Sequence, residues 1–399
     1  MSCHRLIALI ALGALACGDT ARFDLQPEDP PPTLLAPASA ADLASLLEPL
    51  REEHGVPALA AAVVRDSELI AVGAVGFDRF DGDTPATVDE RWHIGSNTKA
   101  MTATMIARLV QRGVLSWDDT VGAALADLEP DSAWSAVTLE QLLTHTSGLP
   151  ANPGKLWMVR LVFSSQEPTQ ARRTMLEAVL AEPPVHEPGT TYLYSNLGFA
   201  TAAAMAEAAT GASYAELMQQ EVFEPLGVLD YGFGPPPPPS PLGHVGKPGN
   251  LTPVESVPVA DNPRALEPAG TLHFTLASWA RFVGAHVDGA RGERSDYLPD
   301  ALWAELHRPR LEDYAMGWGS VTPEWLGEPA LTHSGSNSMW YARVVAVPGW
   351  DAAFLAATNC GGDACKAAVK ASIETLADAW KDQLVPPESS AAAVEPEAP

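Results

Sequence analysis

The chain has 399 residues, 46% of them apolar, and its 50 acidic residues outnumber 24 basic ones, which gives a formal net charge of −26. This acidity argues against binding to a phosphate backbone, which needs clustered lysine and arginine. The apolar fraction and the 11 tryptophans exclude disorder throughout the chain. No apolar run reaches 18 residues, so the sequence predicts no membrane-spanning helix.

The first residues have the pattern of an export signal. His4 and Arg5 precede an apolar stretch, residues 6–16, that is too short to span a bilayer. The stretch leads into Cys17, and this end resembles a bacterial lipoprotein signal in which the cysteine is lipidated; ordinary signal-peptide cleavage at the same place is the alternative. We therefore predict a signal peptide over residues 1–16 and an envelope lipoprotein, in the periplasm or outer membrane, that meets a membrane only through its lipid anchor.

Composition divides the rest of the chain into a tether, one folded unit and a tail. Residues 17–40 are rich in proline and acids, which is typical of a stiff, solvated tether. The folded unit spans residues 41–384, and residues 385–399 form a second proline- and glutamate-containing segment that we expect to be disordered. Within the folded unit, the proline run 235–241 predicts a surface loop, because proline cannot continue a packed element.

Hydrophobic periodicity predicts both helices and strands within the folded unit. In chain order these are a helix from Ala41 to His54, strands from Ala58 to Val64 and Leu69 to Phe77, helices from Thr98 to Arg112 and Ala200 to Thr210, strands from Tyr341 to Val347 and Ala352 to Thr358, and a helix from Ala364 to Gln383. Strands at both ends with helices between them predict an α/β (α+β) fold. We expect an antiparallel sheet flanked by the terminal helices, with a mostly helical domain inserted at about residues 100–265.

Two cysteines remain after the leader and the predicted anchor. Cys360 and Cys365 are separated by four residues, two of them glycine, which allow a tight turn. In an oxidising compartment this pair predicts a disulfide, with two unpaired thiols as the alternative. A metal site is disfavoured, because no histidine or second cysteine pair lies at ligand spacing.

The tetrapeptide Ser96-Asn97-Thr98-Lys99 is the first motif with a chemical interpretation. Residues i and i+3 share one face of a helix, so Lys99 is placed to approach the Ser96 hydroxyl. A serine becomes a nucleophile when a neighbouring base takes its proton, and a partly buried lysine with a lowered pKa can do so. The structural alternative is a helix N-cap, for which serine is favoured.

Two further motifs are weak when each is taken alone. Tyr194-Ser195-Asn196 offers a phenol for proton transfer, provided that cations lower its pKa, and an amide for substrate binding; the alternative is a buried tyrosine beside a turn. His333-Ser334-Gly335, ahead of a strand, could face an acyl group or could be a polar turn. Only Ser96 among the serines has lysine three residues on, and only Tyr194 among seven tyrosines has asparagine two residues on. Their occurrence together, in this order, favours one catalytic site.

With these motifs the chain resembles the serine β-lactamase and penicillin-binding-protein superfamily, on the branch of class C β-lactamases, DD-carboxypeptidases and esterases. The resemblance covers about residues 41–384. Further stretches agree with it, namely LLTHTSGLP at 142–150, YSNLG at 194–198, FEPLG at 223–227, PAG at 268–270 and MGW at 316–318. A G-x-S-x-G motif, which would indicate an α/β-hydrolase, is missing from the sequence.

The resemblance implies a role for each motif residue. Ser96 would be the acyl-enzyme nucleophile, Lys99 would activate it, and Tyr194 would shuttle protons with Lys99. The remaining implied site residues bind substrate: Asn196, His333, Ser334, Gly335 and Ser336. The backbone N–H groups of Ser96 and Ser336 would form the oxyanion hole. The resemblance implies no metal or cofactor.

One departure from the family pattern limits what the resemblance implies about substrate. His333 stands where class C β-lactamases carry lysine, so the fixed positive charge that would meet a substrate carboxylate is weakened. Met339 and Trp340 follow where glycine-rich residues are usual, and we expect them to narrow or cap the acyl site. We therefore rank a D-Ala-D-Ala-type peptidase or a carboxylesterase above a true β-lactamase, with a small molecule or peptide as the acyl substrate.

The alternative from another functional class is a non-catalytic protein that binds cell-wall peptides or acts as a scaffold. A scaffold would not need all three motifs, so their joint presence favours catalysis. Outside the three motifs, His145 is expected to have a structural role, and His93 is expected to be a packed or surface histidine. The acidity belongs mainly to the folded unit, and it indicates solubility more than chemistry. The sequence leaves the oligomeric state open.

Overall fold

The computed structural model describes residues 36–255 and 258–385. The predicted signal peptide and Cys17, most of the tether, and nearly all of the tail lie outside these residues. Ala36 and Ala40, the described end of the predicted tether, pack against the core of the folded unit. Within the described ranges, no helix is long and apolar enough to cross a membrane.

The described residues form a seven-stranded sheet, a three-stranded sheet and a two-stranded hairpin. The strands are β1 Ala41–Asp42, β2 Ala58–Arg65, β3 Glu68–Gly76, β4 Trp92–His93, β5 Tyr231–Phe233, β6 Gly243–Lys247, β7 Asn250–Val254, β8 Leu272–Phe274, β9 Gly319–Val321, β10 Ala330–Ser336, β11 Tyr341–Val347 and β12 Ala352–Thr358. The large sheet has the order β1-β3-β2-β12-β11-β10-β9, and all its neighbours are antiparallel except β1 and β3. The predicted antiparallel sheet is confirmed, and it joins strands from both ends of the described chain.

The helices fall mainly between β3 and β9, with one at each end of the fold. They are α1 Ala44–His54, α2 Thr98–Gln111, α3 Val121–Ala124, α4 Leu139–Leu143, α5 Lys155–Val162, α6 Pro168–Leu180, α7 Asn196–Thr210, α8 Tyr214–Met218, α9 Glu224–Leu226, α10 Glu267–Gly270, α11 Leu276–Arg291, α12 Asp300–His307 and α13 Asp363–Leu384. The first helix begins three residues later than predicted, because Ala41 and Asp42 pair with β3 as a short strand.

Both faces of the large sheet are buried, and β2 shows how the sequence achieves this. Ala60, Ala62 and Val64 point into a core cluster that they share with the helices between β3 and β9. The alternate residues of β2 point to the other face, where α1 and α13 cover the sheet. Side chains of a strand alternate between the two faces, so a strand that is covered on both sides reads as an unbroken apolar run.

Two local features of the fold correspond to sequence predictions. A disulfide joins Cys360, after β12, to Cys365 in the first turn of α13. The proline run forms an irregular segment between β5 and β6, in which Pro237, Pro238 and Pro239 are exposed. The disulfide fixes the end of the central strand β12 to the covering helix, whereas the proline segment lies at the surface as predicted.

Candidate active site

Ser96 is half-buried in a 3₁₀ turn, Gly95–Asn97, that leads directly from β4 into α2. The Asn97 side chain donates to the carbonyl oxygen of Ala342 at 3.3 Å, which ties the turn to β11 of the large sheet. The Thr98 hydroxyl donates to the first carbonyl of the turn at 2.7 Å. The two residues between Ser96 and Lys99 therefore anchor the turn, and this leaves the serine side chain free for chemistry.

Lys99 is fully buried and reaches Ser96 from one helical turn away. Its Nζ donates to Ser96 Oγ at 3.0 Å, to Asn196 Oδ1 at 2.7 Å and to the carbonyl oxygen of Ala269 at 2.7 Å. All three acceptors are neutral. Burial without an opposite charge therefore holds the pKa of Lys99 well below its ordinary value. A lysine that is readily neutral beside a serine hydroxyl can accept the proton that makes serine nucleophilic.

Tyr194 and Asn196 approach the same two residues from the start of α7. The Tyr194 ring centroid lies 4.7 Å from Lys99 Nζ, and its hydroxyl lies close to Ser96. Burial raises the pKa of Tyr194, so cations do not lower it here and the phenol keeps its proton in the resting site. Asn196 accepts from Lys99 and donates from its amide nitrogen to Asn152 Oδ1 at 2.8 Å. Tyr194 is therefore a proton donor at rest, and the base assignment falls to Lys99.

His145, from the LLTHTSGLP stretch, holds the Tyr194 segment in place. Its Nδ1 accepts the backbone N–H of Ser195 at 3.0 Å. Its ring packs against the rings of Tyr194 and Tyr314, with centroid distances of 4.3 and 4.6 Å. Burial, together with the charge of Lys99, lowers the pKa of His145 well below its ordinary value. This neutral, buried ring acts structurally, in agreement with the expectation from the sequence.

The end of β10 packs directly against the 3₁₀ turn Gly95–Asn97, which we call the nucleophile turn. A Cβ on Gly335 would lie 2.4 Å from the Ser96 amide nitrogen, and a Cβ on Gly95 would lie 2.3 Å from the Ser336 amide nitrogen. Gly95 also has a φ of +51°, which favours glycine. Only glycine fits at both positions, so the two amide groups expected to form an oxyanion hole lie on backbone segments in direct contact.

The histidine of the third motif is buried behind this strand edge. His333 Nδ1 hydrogen-bonds the Ser334 carbonyl oxygen at 2.9 Å, and its Nε2 lies 3.2 Å from the Tyr314 hydroxyl. Burial and the nearby charge of Lys99 lower the pKa of His333 to about 3. The imidazole is therefore neutral at physiological pH, and it supplies hydrogen bonding without a fixed charge. Ser334 is exposed, as a residue that meets substrate could be.

The expectation that Met339 and Trp340 cap the acyl site is wrong. Both are buried with Ala260 in a small apolar cluster. The chain turns back after Ser336, whose hydroxyl donates to the Trp340 carbonyl oxygen at 2.7 Å. The Trp340 ring stacks on His93 at a centroid distance of 5.5 Å. These two side chains therefore support the strand end from behind.

Several residues that contact the motifs carried no signal of their own in the sequence. Asn152 binds Asn196, and Tyr314 binds His333, yet neither lies in a recognisable motif. Asp261 follows a segment without periodicity and contacts His93 at 2.9 Å. Long-range partners of this kind depend on the fold that brings distant segments together, and no local pattern marks them.

An apolar cavity of about 510 Å³ lies beside the segment that contains Asp261. Its apolar lining comes from the end of α5, from α6, from β5, from the proline segment and from the turn Arg264–Leu266, and includes Leu161, Val162, Ala171, Phe233, Pro235 and Ala265. Asn262, in its wall, donates to the Gly270 carbonyl oxygen at 2.9 Å. A Cβ on Gly270 would lie 3.4 Å from the Ser96 amide nitrogen, so one short segment connects this wall to the nucleophile turn.

Comparison with known proteins places the chain in a family. The β-lactamase family model matches residues 43–377. Penicillin-binding protein 4 of Amycolatopsis lactamdurans is 27% identical over 337 residues, which cover 78% of this chain and 83% of that protein. Monacolin J acid methylbutanoyltransferase of Aspergillus terreus is 31% identical over 168 residues, but that match spans only 37% of this chain and 39% of the transferase.

Solved structures show the same fold at low sequence identity. The octameric penicillin-binding protein homologue from Pyrococcus abyssi has a TM-score of 0.70 at 23% identity, covering 86% of this chain and 78% of that one. The D-amino acid amidase from Ochrobactrum anthropi SV3 has a TM-score of 0.68 at 20% identity, covering 85% of this chain and 99% of the amidase. From the family match over most of its length, the chain belongs to the β-lactamase family and is a serine hydrolase of the penicillin-binding-protein-like type.

Proposed function

We propose that this protein forms an acyl-enzyme on Ser96 and hydrolyses an amide or ester, as a D-Ala-D-Ala-type peptidase or a carboxylesterase. The observation that carries the proposal is the 3.0 Å hydrogen bond between Lys99 Nζ and Ser96 Oγ, made by a buried lysine whose pKa is lowered. A scaffold would have no use for a lysine in this state, since burying an amine without a counter-charge costs stability.

In the first step, Ser96 Oγ attacks the substrate carbonyl carbon and its proton passes to Lys99 Nζ. The carbonyl oxygen becomes an oxyanion, which the amides of Ser96 and Ser336 stabilise; one such donor is worth about 3 kcal/mol. The bond to the leaving group then breaks. The leaving nitrogen or oxygen takes a proton from the Tyr194 hydroxyl, which lies next to Ser96, and Lys99 re-protonates the tyrosine.

A water molecule completes the turnover. It attacks the acyl carbon of the Ser96 ester while Lys99, neutral again, takes its proton. The second tetrahedral intermediate collapses, the product leaves as a carboxylic acid, and Ser96 regains its proton. Asn196 orients Lys99 throughout, because its side-chain oxygen accepts one of the lysine N–H bonds at 2.7 Å.

The neutral state of His333 favours amides and esters that present no carboxylate at this position. A β-lactam carries a carboxylate, as does the end of a D-Ala-D-Ala peptide, and a fixed cation would be the natural partner for it. Here the pKa of His333 is lowered to about 3, so the position offers no charge. This position therefore favours an esterase, or a peptidase that acts on an uncharged amide, and a true β-lactamase stays the second candidate.

The apolar cavity bears on the acyl part of the substrate. Its size falls in the usual range for small-molecule sites, and about half of its lining residues are aliphatic or proline. The Asn262–Gly270 hydrogen bond links its wall to the nucleophile turn. We expect substrates with a bulky apolar acyl group to be preferred over acetylated ones.

Covalent labelling tests the proposal. A fluorophosphonate or a labelled penicillin should modify the wild type at Ser96 and leave Ser96→Ala unlabelled. Ser320→Ala, in the half-buried strand β9 of the same sheet, is the control that should label normally. Nitrocefin, p-nitrophenyl esters and D-Ala-D-Ala peptides then rank the three activities. A wild type that resists every probe would favour the peptide-binding or scaffold alternative.

Export and lipidation form a separate part of the proposal. The sequence pattern before Cys17 supports them, and it lies outside the described residues. In a bacterial host, the wild type should fractionate with the envelope and partition into detergent. Cys17→Ser should be exported but should stay in the aqueous phase; equal partitioning of the two proteins would rule out the anchor.

A further inference from the structure

His93 is a buried histidine at the end of β4, two residues before the first residue of the turn Gly95–Asn97. It is 1% exposed, and its ring stacks on the ring of Trp340. Its Nδ1 accepts the backbone N–H of Gly95 at 3.1 Å. A backbone N–H can only donate, so Nδ1 carries the lone pair and the ring proton is on Nε2.

The proton on Nε2 points to a carboxylate from a distant segment. His93 Nε2 lies 2.9 Å from Asp261 Oδ2. The other carboxylate oxygen, Oδ1, accepts the side-chain amide of Asn337 at 3.0 Å and the backbone N–H of Asn262 at 2.6 Å. Asn337 immediately follows Ser336. One carboxylate therefore connects the segment that carries Ser96 with the segment that carries Ser336.

These two segments are the ones whose backbones pack against each other at Gly95 and Gly335. Because those backbones are in van der Waals contact, a small shift of either segment changes the spacing of the Ser96 and Ser336 amides. Oxyanion stabilisation depends on that spacing, since the donors act only when they lie at hydrogen-bond distance from the developing charge.

We propose that His93 and Asp261 are positioning residues that set the spacing of the two oxyanion donors. A direct catalytic role does not fit, because both ring nitrogens of His93 are occupied and the side chain is enclosed. The inference rests on the acyl-enzyme function proposed above. It adds to that function a buried tie, His93–Asp261–Asn337, which joins three segments far apart in the sequence.

Asp261→Asn tests the proposal with almost no change in size. If the new amide oxygen keeps the bonds to Asn337 and Asn262, its NH2 group faces the Nε2–H of His93, donor against donor. His93 must then move its proton to Nδ1, where it opposes the Gly95 N–H. In the variant, His93 can no longer accept the Gly95 N–H, so its hydrogen bond to the nucleophile turn is lost without any change in side-chain size.

We expect kcat of Asp261→Asn to fall about 10- to 100-fold, with KM within about threefold of wild type, since losing one oxyanion donor outright costs about 10²–10³ in kcat. A boronic acid that forms a tetrahedral adduct with Ser96 should lose affinity by the same factor as kcat/KM.

His273→Gln is the matched control: His273 pairs with His93 across β4 and β8 and is also buried, but it hydrogen-bonds the Gly234 carbonyl oxygen. Its kcat should change less than about threefold.

The tautomer of His93 gives a readout that is independent of turnover. ¹⁵N NMR of the wild type should show a protonated Nε2 and an unprotonated Nδ1, with the signal assigned by its loss in His93→Phe. A protonated Nδ1 in the wild type would overturn the proposal. So would an unchanged kcat in Asp261→Asn, or a loss that leaves boronate affinity intact. If Asp261→Asn does not fold, His93→Phe, which keeps the ring against Trp340, takes its place in the kinetic test.

Discussion

The side-chain oxygen of Asn196 accepts a hydrogen bond from Lys99 at 2.7 Å, so a neutral amide and not a carboxylate holds the buried lysine. Asn196→Asp would place an opposite charge at the same distance and raise the pKa of Lys99. The acid limb of the kcat/KM profile should then move to higher pH, and activity at pH 7 should fall by about tenfold or more. Asn152→Asp, one residue further from Lys99, should move the limb less; equal shifts in both variants would contradict the assignment of Lys99 as the base.

Replacing Lys99 should separate stability from activity. Because burial lowers the pKa of Lys99, the folded state binds fewer protons than the unfolded state below the ordinary lysine pKa, and this destabilises the fold at neutral pH. Lys99→Met should therefore raise Tm, by about 1–2 °C for each kcal/mol recovered in a folded unit of this size, while kcat/KM falls about 10²- to 10⁴-fold with the loss of the base. Lys99→Arg, which keeps a charge that cannot be removed, should lose the activity without the gain in Tm. A lower Tm in Lys99→Met would contradict this account.

We expect that His333 does not contribute to the pH dependence of kcat/KM between pH 5 and 7.5. Its pKa is lowered to about 3, so no change in its charge occurs between pH 5 and 7.5. Wild type and His333→Gln should give kcat/KM profiles of the same shape over that range. The values of kcat/KM for the two proteins should differ by no more than about tenfold, which is the cost of one or two altered hydrogen bonds. An inflection near pH 6.5 in the wild type that disappears in His333→Gln would show that the histidine titrates in the site.

The sequence was sufficient for the four adjacent strands β3, β2, β12 and β11 of the large sheet and for the nucleophile pair. β11 and β12 begin and end where the periodicity of Tyr341–Val347 and Ala352–Thr358 predicts, because strands covered on both faces are mostly apolar. The i, i+3 spacing of Ser96 and Lys99 is a local property of a helix start, and it appears in the structure as a 3.0 Å contact.

The sequence was insufficient wherever the site depends on segments that are far apart. The pKa of Tyr194 is raised and not lowered, since the fold encloses its ring, and composition cannot report that enclosure. The sequence predicts Trp340 at the acyl site, but the reversal of the chain after Ser336 places it against His93. The role of Asp261 depends on a contact across 168 residues, for which the sequence contains no local sign.

A pair of contacting histidines, His286 buried and His307 half-buried, should make the fold sensitive to acid. His286 Nδ1 lies 2.9 Å from His307 Nε2, and burial lowers the pKa of His286 well below its ordinary value and that of His307 to about 3. Stability is fully present above the unfolded pKa near 6.5 and is lost as the pH falls from there towards 3, because the unfolded chain takes up protons that the folded chain refuses.

His307→Gln should reduce this dependence. The slope of unfolding free energy against pH, measured between pH 4 and 6, should become shallower by about 1.4 kcal/mol per pH unit, the contribution of one proton. His186→Gln, at an exposed histidine, is the control. A variant whose slope matches that of the wild type would mean that His307 is already protonated in the folded protein.

Filling the apolar cavity should change substrate preference without removing activity. Val162, at the end of α5, lines the cavity, whereas Val159, on the same helix, is 59% exposed and lies outside the lining. Val162→Trp should lower kcat/KM for p-nitrophenyl esters with long or aromatic acyl groups by about tenfold, the effect of losing some 1.4 kcal/mol of apolar contact, and should leave the acetate ester within about twofold. Val159→Trp adds the same side chain at the surface and should leave both classes of ester unchanged. If Val162→Trp slows the acetate and the long-chain esters equally, the cavity does not receive the acyl group, and the loss reflects a displaced α5 instead.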